Sequence, residues 1–262
     1  MNKVALVTGA SSGIGRELLD RFAADRIDLV ITARDEAALG KAAADVAAKY
    51  GVAVTVIPAD LSRPGEAHRL FAEVERRGIA VEYLVNNAGF GNYGFFHEAD
   101  AAKMDDMVQV NVASLVTLTR LFLPGMVARG SGRVLQVASV AGFQPGPLMA
   151  AYYATKAFVI SFSEALSEEL TGTGVTMTCL CPGPVRTQFA ARAAFNHSRL
   201  FQSHSAEAPE VAAYGYRALV KGKMLAVHGF NNKFLVVIGR FIPRRLIVKL
   251  VRWMQEERDP GR

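Results

Sequence analysis

The sequence is poor in cysteine, which limits the scaffolds and sites that it can build. Of 262 residues only Cys179 and Cys181 are cysteines, so a disulfide-stapled scaffold is excluded. The sequence has no C-x-x-C pair and no cluster of cysteine and histidine, which excludes a zinc site of the usual spacing. Both cysteines fall in a strand-like run, where we expect their side chains to point to opposite faces.

Long apolar runs and targeting signals are lacking as well. No window approaches the roughly 18 apolar residues of a membrane span. The sequence begins with Met1, Asn2 and Lys3 and enters a strand-like segment at once, without the apolar core and cleavage site of a signal peptide. These features predict a cytoplasmic protein.

The composition that is present suits one globular domain of the α/β type. Hydrophobic residues make up 51% of the chain and charged residues 21%, so the chain can bury a core and is not mainly disordered. The net charge is +6, but residues 230–262 hold eight basic and three acidic side chains, which leaves residues 1–229 nearly neutral. A neutral body with a basic tail does not match a nucleic-acid groove, and we expect no such partner.

Short apolar, β-branched segments alternate with longer segments of helical periodicity. The strand-like segments lack polar alternation, which indicates strands buried on both faces; they are residues 4–8, 29–32, 52–57, 83–86, 133–138, 175–181 and 224–227. The helical segments are residues 13–24, 35–50, 65–77, 101–129, 151–171 and 209–221. This alternation predicts an α/β fold with a doubly wound parallel sheet of seven strands.

Residues 187–208 form the one long stretch without a strand, and they follow the carboxyl end of the sixth strand. Ligands of open parallel sheets bind at that edge. We therefore interpret this stretch, which carries Phe189, Phe195 and Phe201, as a substrate lid. The alternative is an ordinary surface insertion that packs its own phenylalanines.

A glycine-rich turn follows the first strand and opens the first helix. It contains Gly9, Ser11, Ser12, Gly13, Ile14 and Gly15. Free backbone N–H groups and the positive end of the helix dipole would meet the diphosphate of a dinucleotide there. The spacing is G-x-x-x-G-x-G. The commoner G-x-G-x-x-G occurs at residues 89–94, but we reject it because no helix starts directly after it.

No acidic residue stands at the end of the second strand, where NAD-binding folds place a carboxylate against the ribose. Thr32 and Ala33 are followed by Arg34, whose planar guanidinium suits a 2′-phosphate. The residues therefore favour NADP(H) over NAD(H). Asp35 has two other possible roles, as a partner of Arg34 or as the cap of the next helix.

Tyr152 and Lys156 lie one turn apart at the start of a predicted helix and share a face. A nearby ammonium and an oxidised nicotinamide would both favour the phenolate, which brings the phenol into range for proton exchange near neutral pH. Tyr153 is a competing tyrosine, but the spacing of four residues favours Tyr152. Taken alone, such a pair is usually a surface pair.

Further motifs accompany this pair. They are Asp60 with Leu61, the run Asn86, Asn87, Ala88 and Gly89, Asn111, Ser139 thirteen residues before Tyr152, and the run from Pro182 to Thr187. With the glycine turn, these motifs make the chain resemble the short-chain dehydrogenase/reductase family over residues 4–187. The resemblance implies a Rossmann fold and an oxidoreductase.

The resemblance also implies roles for the matching residues. Tyr152 would exchange a proton with the substrate oxygen, and Ser139 would donate a hydrogen bond to that oxygen. Lys156 would hold the nicotinamide ribose, and Asn111 would disturb its helix so that a water links Lys156 to solvent. The positions expected along the adenosine are Asp60, Leu61, Asn87, Ala88 and Gly89, and those expected around the nicotinamide are Pro182, Gly183, Val185 and Thr187.

The basic tail contains an amphipathic helix at residues 244–256. One face has Arg245, Lys249, Arg252 and Glu256, and the other, apolar face has Leu246, Ile247, Leu250, Val251 and Met254. Such a helix can contact a membrane interface, with Trp253 as an anchor, or pack on its own body or another subunit. We predict a catalytic dinucleotide-binding domain at residues 1–229, which includes the lid, and a helical tail at residues 230–262.

Together these patterns predict an NADP(H)-dependent oxidoreductase that transfers a hydride between nicotinamide and a small-molecule carbonyl or alcohol, without a metal. Aromatic residues in loops, Phe95, Phe96, Phe143 and Phe201, favour an apolar or bulky substrate. The resemblance implies a homodimer or homotetramer built through residues 101–129 and 151–171. The alternatives are a dinucleotide-binding sensor or scaffold without turnover, and a membrane-surface reductase of lipid or ketoacyl substrates.

Overall fold

The computed structural model describes residues 3–189, 193, 198–199 and 205–256. Seven parallel strands form its central sheet: β1 Val4–Thr8, β2 Asp28–Thr32, β3 Val54–Val56, β4 Val81–Asn86, β5 Gly132–Val137, β6 Val175–Cys181 and β9 Leu225–Val227. Their order is β3-β2-β1-β4-β5-β6-β9. The short strands β7 Val185–Arg186 and β8 Ala206–Glu207 pair separately. The predicted doubly wound sheet is confirmed.

Helices cover the two faces of this sheet. They are α1 Gly13–Ala24, α2 Glu36–Tyr50, α3 Glu66–Arg76, α4 Ala101–Val108, α5 Leu115–Arg129, α6 Ala150–Glu169, α7 Ala208–Val220, α8 Phe230–Ile238 and α9 Arg244–Gln255. Buried residues of α1, α2 and α7 form one core cluster with the sheet, and residues of α3 and α5 form another.

The strands are apolar throughout because both of their faces are buried. In β1, for example, Val7 belongs to the core on the side of α1, and Leu6 belongs to the core on the side of α3. Both are fully buried. An uninterrupted apolar run is therefore required in a central strand of such a sheet.

Some boundaries differ from the prediction. β3 has three residues instead of residues 52–57, partly because the N–H of Ala53 donates to the Asp28 side chain over 2.9 Å. The helix predicted at residues 101–129 is divided by a π-helical segment, Gln109–Ser114, between α4 and α5. α8 forms over a segment in which the sequence indicated only an apolar stretch.

The expectation that no segment is apolar enough to span a membrane was too strict. By length and composition alone, the helical segment Ala101–Arg129 is long and apolar enough to cross a membrane, with a mean hydropathy of 1.5 over 18 residues. In this fold, however, the segment packs against the sheet through Leu118, Phe122 and Met126. Its apolar composition is accounted for by its place in the core.

The two cysteines correct another expectation. Cys179 and Cys181 are both buried in β6 as free thiols, and their Sγ atoms lie 3.8 Å apart. The prediction of opposite faces was wrong, because side chains in a strand alternate and residues two positions apart share a face.

The C-terminal helices pack on the body of the protein. Ile247, Val251 and Gln255 of α9 are buried, and Ile247 and Val251 join a cluster that contains Met107 and Tyr153. This is the packed alternative that the sequence left open for the tail. Leu246 and Leu250, which belong to the apolar side of the helix in the sequence, are about half exposed.

Candidate active site

The glycine turn between β1 and α1 forms a cradle of backbone atoms. Gly9 and Gly13 have φ angles of +65° and +57°, which favour glycine. Ser12 precedes α1 and makes no side-chain cap hydrogen bond, and the first turn of α1 carries no acidic residue. The positive end of α1 is therefore uncapped by side chains at this turn, and its N–H groups fit a diphosphate.

Gly15 serves close packing. A Cβ atom at this position would overlap the carbonyl oxygen of Gly9 and Nδ2 of Asn87. Asn87 donates from Nδ2 to the carbonyl oxygens of Thr8 and Gly9 over 2.9 and 3.2 Å. The end of β4 thereby braces the turn that follows β1.

We expect Gly15→Ala to destabilise the fold by about 1–3 kcal/mol through overpacking and to weaken NADPH binding, because the added methyl displaces the turn. Gly40→Ala is the matched control. Gly40 lies in α2 with open space around its Cα, so alanine there should stabilise by about 0.5–1 kcal/mol. Urea unfolding and NADPH titration of both variants measure these effects, and equal stability of the two variants would contradict the packing role.

Arg34 is exposed at the end of β2 and lines the cavity. Asp35 is the N-cap of α2 and accepts a hydrogen bond from the N–H of Ala38 over 3.0 Å. Of the two other roles left open for Asp35, the structure therefore shows the cap. Within the described part of the chain Arg34 forms no ion pair, so its guanidinium is available to a phosphate.

Asp60 and Leu61 follow β3 at the same edge of the sheet and line the cavity. Oδ1 of Asp60 accepts from the N–H and the hydroxyl of Ser62 over 3.2 and 2.8 Å. These bonds hold the carboxylate at the rim of the cavity. Its contact with adenine stays a prediction.

Tyr152 and Ser139 meet inside the cavity. Tyr152 lies near the start of α6 and Ser139 follows β5, and the Ser139 hydroxyl is near enough to the phenol to lower the pKa of Tyr152. Oγ of Ser139 also accepts from the N–H of Ala141 over 3.1 Å and donates to the carbonyl oxygen of Pro182 over 3.3 Å. Tyr153 is bound instead by the side-chain amide of Gln255, so the structure brings Tyr152 to Ser139.

Lys156 lies one turn after Tyr152, with Nζ 5.7 Å from the centroid of the Tyr152 ring. Nζ donates to the carbonyl oxygen of Val137 over 2.8 Å. Burial lowers the pKa of Lys156 from its ordinary 10.5 to about 8, although Cys179 and Cys181 raise it slightly. Lys156 is thus a buried cation at neutral pH.

The pKa of Tyr152 departs from the direction expected beside an ammonium group. Burial raises it to about 12, and the nearby hydroxyl of Ser139 offsets only part of this rise. The ammonium of Lys156 binds Val137 and not the phenol, which explains the difference. In the protein alone, Tyr152 is a neutral phenol, the form that can donate a proton.

We expect the free energy of unfolding of the wild type, relative to Lys156→Met, to rise with pH between about 8 and 10.5. Below this range Lys156 is protonated in the folded and the unfolded chain, and folding carries the full cost of burying the cation. Within the range the folded chain loses its proton first, so the cost falls. Urea unfolding near pH 7 and pH 10 should show a relative gain of about 2–3 kcal/mol; parallel profiles of the two proteins would contradict the burial effect.

Asn111 lies in the π-helical segment and is buried. Its Nδ2 donates to the carbonyl oxygen of Phe90 over 2.9 Å and to Oγ1 of Thr155 over 3.1 Å, and its Oδ1 accepts from the N–H of Phe90. The helix is disturbed at the residue where the resemblance implies it. The water link to Lys156 stays a prediction.

One cavity of about 390 Å³ collects these groups at the carboxyl edge of the sheet. The residues proposed for catalysis or cofactor binding that line it are Gly9, Ser11, Ser12, Gly13, Ile14, Arg34, Asp60, Leu61, Asn87, Ala88, Gly89, Ser139, Tyr152, Lys156, Pro182, Gly183, Val185 and Thr187. Gly15 and Asn111 are not in its wall. They pack behind it, against the glycine turn and against Phe90.

Sequence reasoning missed one wall of the cavity. Residues of α8, α9 and their connection line it, among them Leu235, Ile242 and Met254. The apolar stretch before the basic helix was the available signal. Because this wall comes from the predicted tail, the division at residues 229 and 230 stays a prediction.

The aromatic residues noted in loops differ in position. Phe143 lines the cavity, whereas Phe95 and Phe96 are exposed and lie outside its wall. Phe189 lines it too, with its ring centroid 5.4 Å from that of Tyr152. Phe195 and Phe201 lie outside the described residues, so the lid stays a prediction.

Comparison with known proteins places this geometry in a family. A family model described as short chain dehydrogenase matches residues 3–197. The chain belongs to the short-chain dehydrogenase family. This agrees with the resemblance read from the motifs and supports the oxidoreductase class.

This short-chain dehydrogenase is similar to several curated reductases and oxidoreductases. It is 37% identical over 175 residues to the very-long-chain 3-oxoacyl-CoA reductase of Laccaria bicolor, with 66% of this chain and 52% of the relative covered. The chain spans about a third to about half of the length of several curated relatives that it matches.

Two solved structures resemble the whole fold. A short-chain dehydrogenase of Sphingobium yanoikuyae in complex with NADPH is 30% identical, with a TM-score of 0.82 over 91% of this chain and 93% of that one. One of Burkholderia phymatum in complex with NAD is 28% identical, with a TM-score of 0.81 over 99% and 97%. Both cofactors are nicotinamide dinucleotides, which supports this class of cofactor for the short-chain dehydrogenase described here.

Proposed function

We propose that this protein is an NADP(H)-dependent oxidoreductase that interconverts a carbonyl and an alcohol on a small-molecule substrate. The convergence of Tyr152 and Ser139 carries the proposal, because both line the cavity that also contains the glycine turn of α1. Two hydroxyl groups can bind one carbonyl oxygen, and the turn fits a diphosphate. A nicotinamide dinucleotide, when bound, supplies or accepts the hydride.

The residues of this chain handle the oxygen and its proton. Tyr152 donates its proton to the substrate oxygen in reduction and takes it back in oxidation. Ser139 donates a hydrogen bond to the same oxygen and stabilises the charge that develops there. Lys156, whose pKa is about 8, carries a positive charge at neutral pH, which stabilises the phenolate as the proton leaves and suits it to hold the ribose hydroxyls.

Preference for NADP(H) rests on Arg34. Its side chain follows β2 and lines the cavity without an ion-pair partner among the described residues, while Asp35 is engaged as a helix cap. The carboxylate of Asp35, which could otherwise bind the 2′-hydroxyl of NAD(H), instead caps α2. One similar structure contains NADPH and another contains NAD, so the preference depends on this chain's own residues.

An apolar or bulky substrate suits the substrate end of the cavity. Phe143, Met149 and Phe189 line it beside Tyr152, and apolar residues of α8 and α9 form the facing wall. The name of the Laccaria bicolor relative describes a carbonyl on a very long acyl chain. We propose the same general class here, a carbonyl compound with a large apolar part.

A homo-oligomer in the cytoplasm completes the proposal. Val127 on α5 and Phe158 on α6 are exposed apolar side chains, as expected of helices that pack against a second copy. The catalytic domain at residues 1–229, with its lid, and the tail at residues 230–262 are proposed as its parts.

Nicotinamide absorbance tests the function against the alternative of a sensor or scaffold. The protein is incubated with NADPH or NADH and with ketones, aldehydes or alcohols of increasing apolar size. We expect turnover that is faster with NADPH and with larger apolar carbonyl compounds. Binding of NADPH without turnover of any of them would favour the sensor and contradict the proposal.

A further inference from the structure

The outer side of the C-terminal helices carries many large apolar side chains. Six of them point away from the cavity and are between 55% and 82% exposed: Phe230, Phe234, Val237, Phe241, Leu246 and Trp253. We call the exposed side of α8, α9 and their connection the C-terminal face. A soluble surface rarely collects so many large apolar groups, and such patches mark sites of interaction.

The same face is strongly basic. Residues 230–255 contain Lys233, Arg240, Arg244, Arg245, Lys249 and Arg252 and no acidic residue. Of these six, Arg252 pairs with Glu256, which directly follows α9, over 3.1 Å. These six cations equal the net charge of the whole chain, which is +6. The partner of this face must therefore be apolar and anionic.

The cavity opens on this face. Leu235, Ile238 and Leu250 are each at least 38% exposed, and all three also line the cavity beside Tyr152. The rim of the opening is thus formed by apolar side chains of α8 and α9. A substrate that enters or leaves the cavity through this opening therefore contacts apolar side chains.

α9 is held firmly in this position. The buried side-chain amide of Gln255 donates to the phenol oxygen of Tyr153, and the backbone carbonyl oxygen of Gln255 accepts from the phenol of Tyr93 over 2.8 Å. Ile247 and Val251 are buried beneath the helix. The outward apolar side chains are therefore a fixed feature of the surface and do not result from an opened helix.

We propose that the C-terminal face docks on an anionic lipid surface and that the cavity receives its substrate from the lipid through the opening between α8 and α9. Apolar side chains insert among the acyl chains, Trp253 lies at the headgroup level, and the arginines and lysines bind anionic headgroups. A second copy of the chain fits less well, because a symmetric contact would bring the same basic side chains together, and only Arg252 among them pairs with an acidic residue of the described C-terminal segment. The substrate class rests on the proposed function, whereas the docking does not.

Flotation with vesicles tests the docking. Full-length protein is mixed with vesicles of phosphatidylcholine containing a quarter phosphatidylserine, or of phosphatidylcholine alone. We expect binding to the anionic vesicles that weakens at least tenfold in the double variant Phe234→Ser and Phe241→Ser, and again in Arg244→Glu with Lys249→Glu. None of these four residues lines the cavity.

The matched control is Arg21→Glu with Lys41→Glu. These residues lie on α1 and α2 and are exposed, so the change in net charge is the same and the C-terminal face is intact. We expect unchanged vesicle binding by this control. Absence of binding by the wild type, or equal binding by all variants, overturns the proposal. So does an oligomer, seen by light scattering, that dissociates only in the Phe234 and Phe241 variant, since it would assign the face to self-association.

Trp253 gives an internal measure of depth, because it is the sole tryptophan in the sequence. Vesicles whose lipids carry bromine on the acyl chain close to the headgroup should quench its fluorescence. Lipids that carry bromine at the far end of the acyl chain should quench it less. Equal fluorescence with brominated and ordinary anionic vesicles overturns the insertion of α9.

Activity measurements separate this proposal from the proposed function. With a long-chain aliphatic ketone held in anionic vesicles, we expect the double variant of Phe234 and Phe241 to lose at least tenfold in rate while it retains the wild-type kcat/KM on a short, soluble ketone. Equal rates of both proteins on the vesicle-held ketone overturn substrate entry from lipid. If no ketone is reduced in any form, the proposed function fails, and flotation and quenching still decide the docking.

Discussion

Tyr152→Phe is expected to lower kcat for carbonyl reduction by about 10²–10⁴-fold, with little change in the affinity for NADPH. The phenol lies beside Ser139 inside the cavity, and its removal deletes the proton donor. Phenylalanine retains the ring that packs 5.4 Å from the Phe189 ring. Steady-state kinetics with NADPH, together with NADPH titration, measure both quantities.

Tyr153→Phe is the matched control, because it removes the same atom from the neighbouring residue. Tyr153 is bound by Gln255 of α9 and is raised in pKa by burial. Its loss should cost about 0.5–1.5 kcal/mol of stability and change kcat by a few fold at most. A kcat of Tyr152→Phe that equals that of the wild type, or a larger loss in Tyr153→Phe, would reverse the assignment of the two tyrosines.

Arg34→Asp is expected to change the ratio of NADPH to NADH affinity by at least about 100-fold. Charge-assisted hydrogen bonds to a phosphate contribute about 1.5–3 kcal/mol, and each 1.4 kcal/mol is about tenfold in affinity. The introduced carboxylate also repels a 2′-phosphate and can accept from the 2′-hydroxyl of NADH. Titration of the variant with each cofactor gives the two dissociation constants.

Arg217→Asp provides the control for a change of charge. Arg217 is exposed on α7 and does not line the cavity. Its variant should retain the wild-type ratio of the two affinities. If Arg34→Asp shifts the ratio no more than Arg217→Asp does, the guanidinium of Arg34 does not bind the 2′-phosphate.

Much of the fold was predictable because its causes are local. Central strands such as β1 must be apolar on both faces, and glycine is favoured at the positive φ of Gly9 and Gly13. These constraints leave continuous marks in the sequence. The spacing of Tyr152 and Lys156 is likewise local, since one helical turn places both on one face of α6.

What was missed depends on contacts between distant parts of the chain. The ammonium of Lys156 binds the carbonyl oxygen of Val137, and no pattern around Lys156 indicates that partner. The pKa of Tyr152 is set by burial in the assembled cavity, so its direction could not be inferred from the neighbouring lysine. The face shared by Cys179 and Cys181, in contrast, follows from strand geometry alone.

The C-terminal tail shows why helical periodicity alone did not predict which side chains of α9 are buried. α9 has apolar side chains toward the body, Ile247 and Val251, and others toward the outside, Leu246 and Trp253. A simple division into a basic and an apolar side does not describe a helix that buries one apolar stripe and exposes another. The cavity wall formed by α8 and α9 became visible only with the fold.

Transfer of deuterium from the cofactor to the substrate tests the central claim most directly. The protein is incubated with an apolar ketone and with NADPH deuterated at the transferable position of the nicotinamide, and the alcohol is analysed by mass spectrometry. We predict one deuterium on the carbinol carbon of the product, formed by the wild type and at a strongly reduced rate by Tyr152→Phe. If the protein binds NADPH but no carbonyl compound in a broad series acquires deuterium, the account is contradicted.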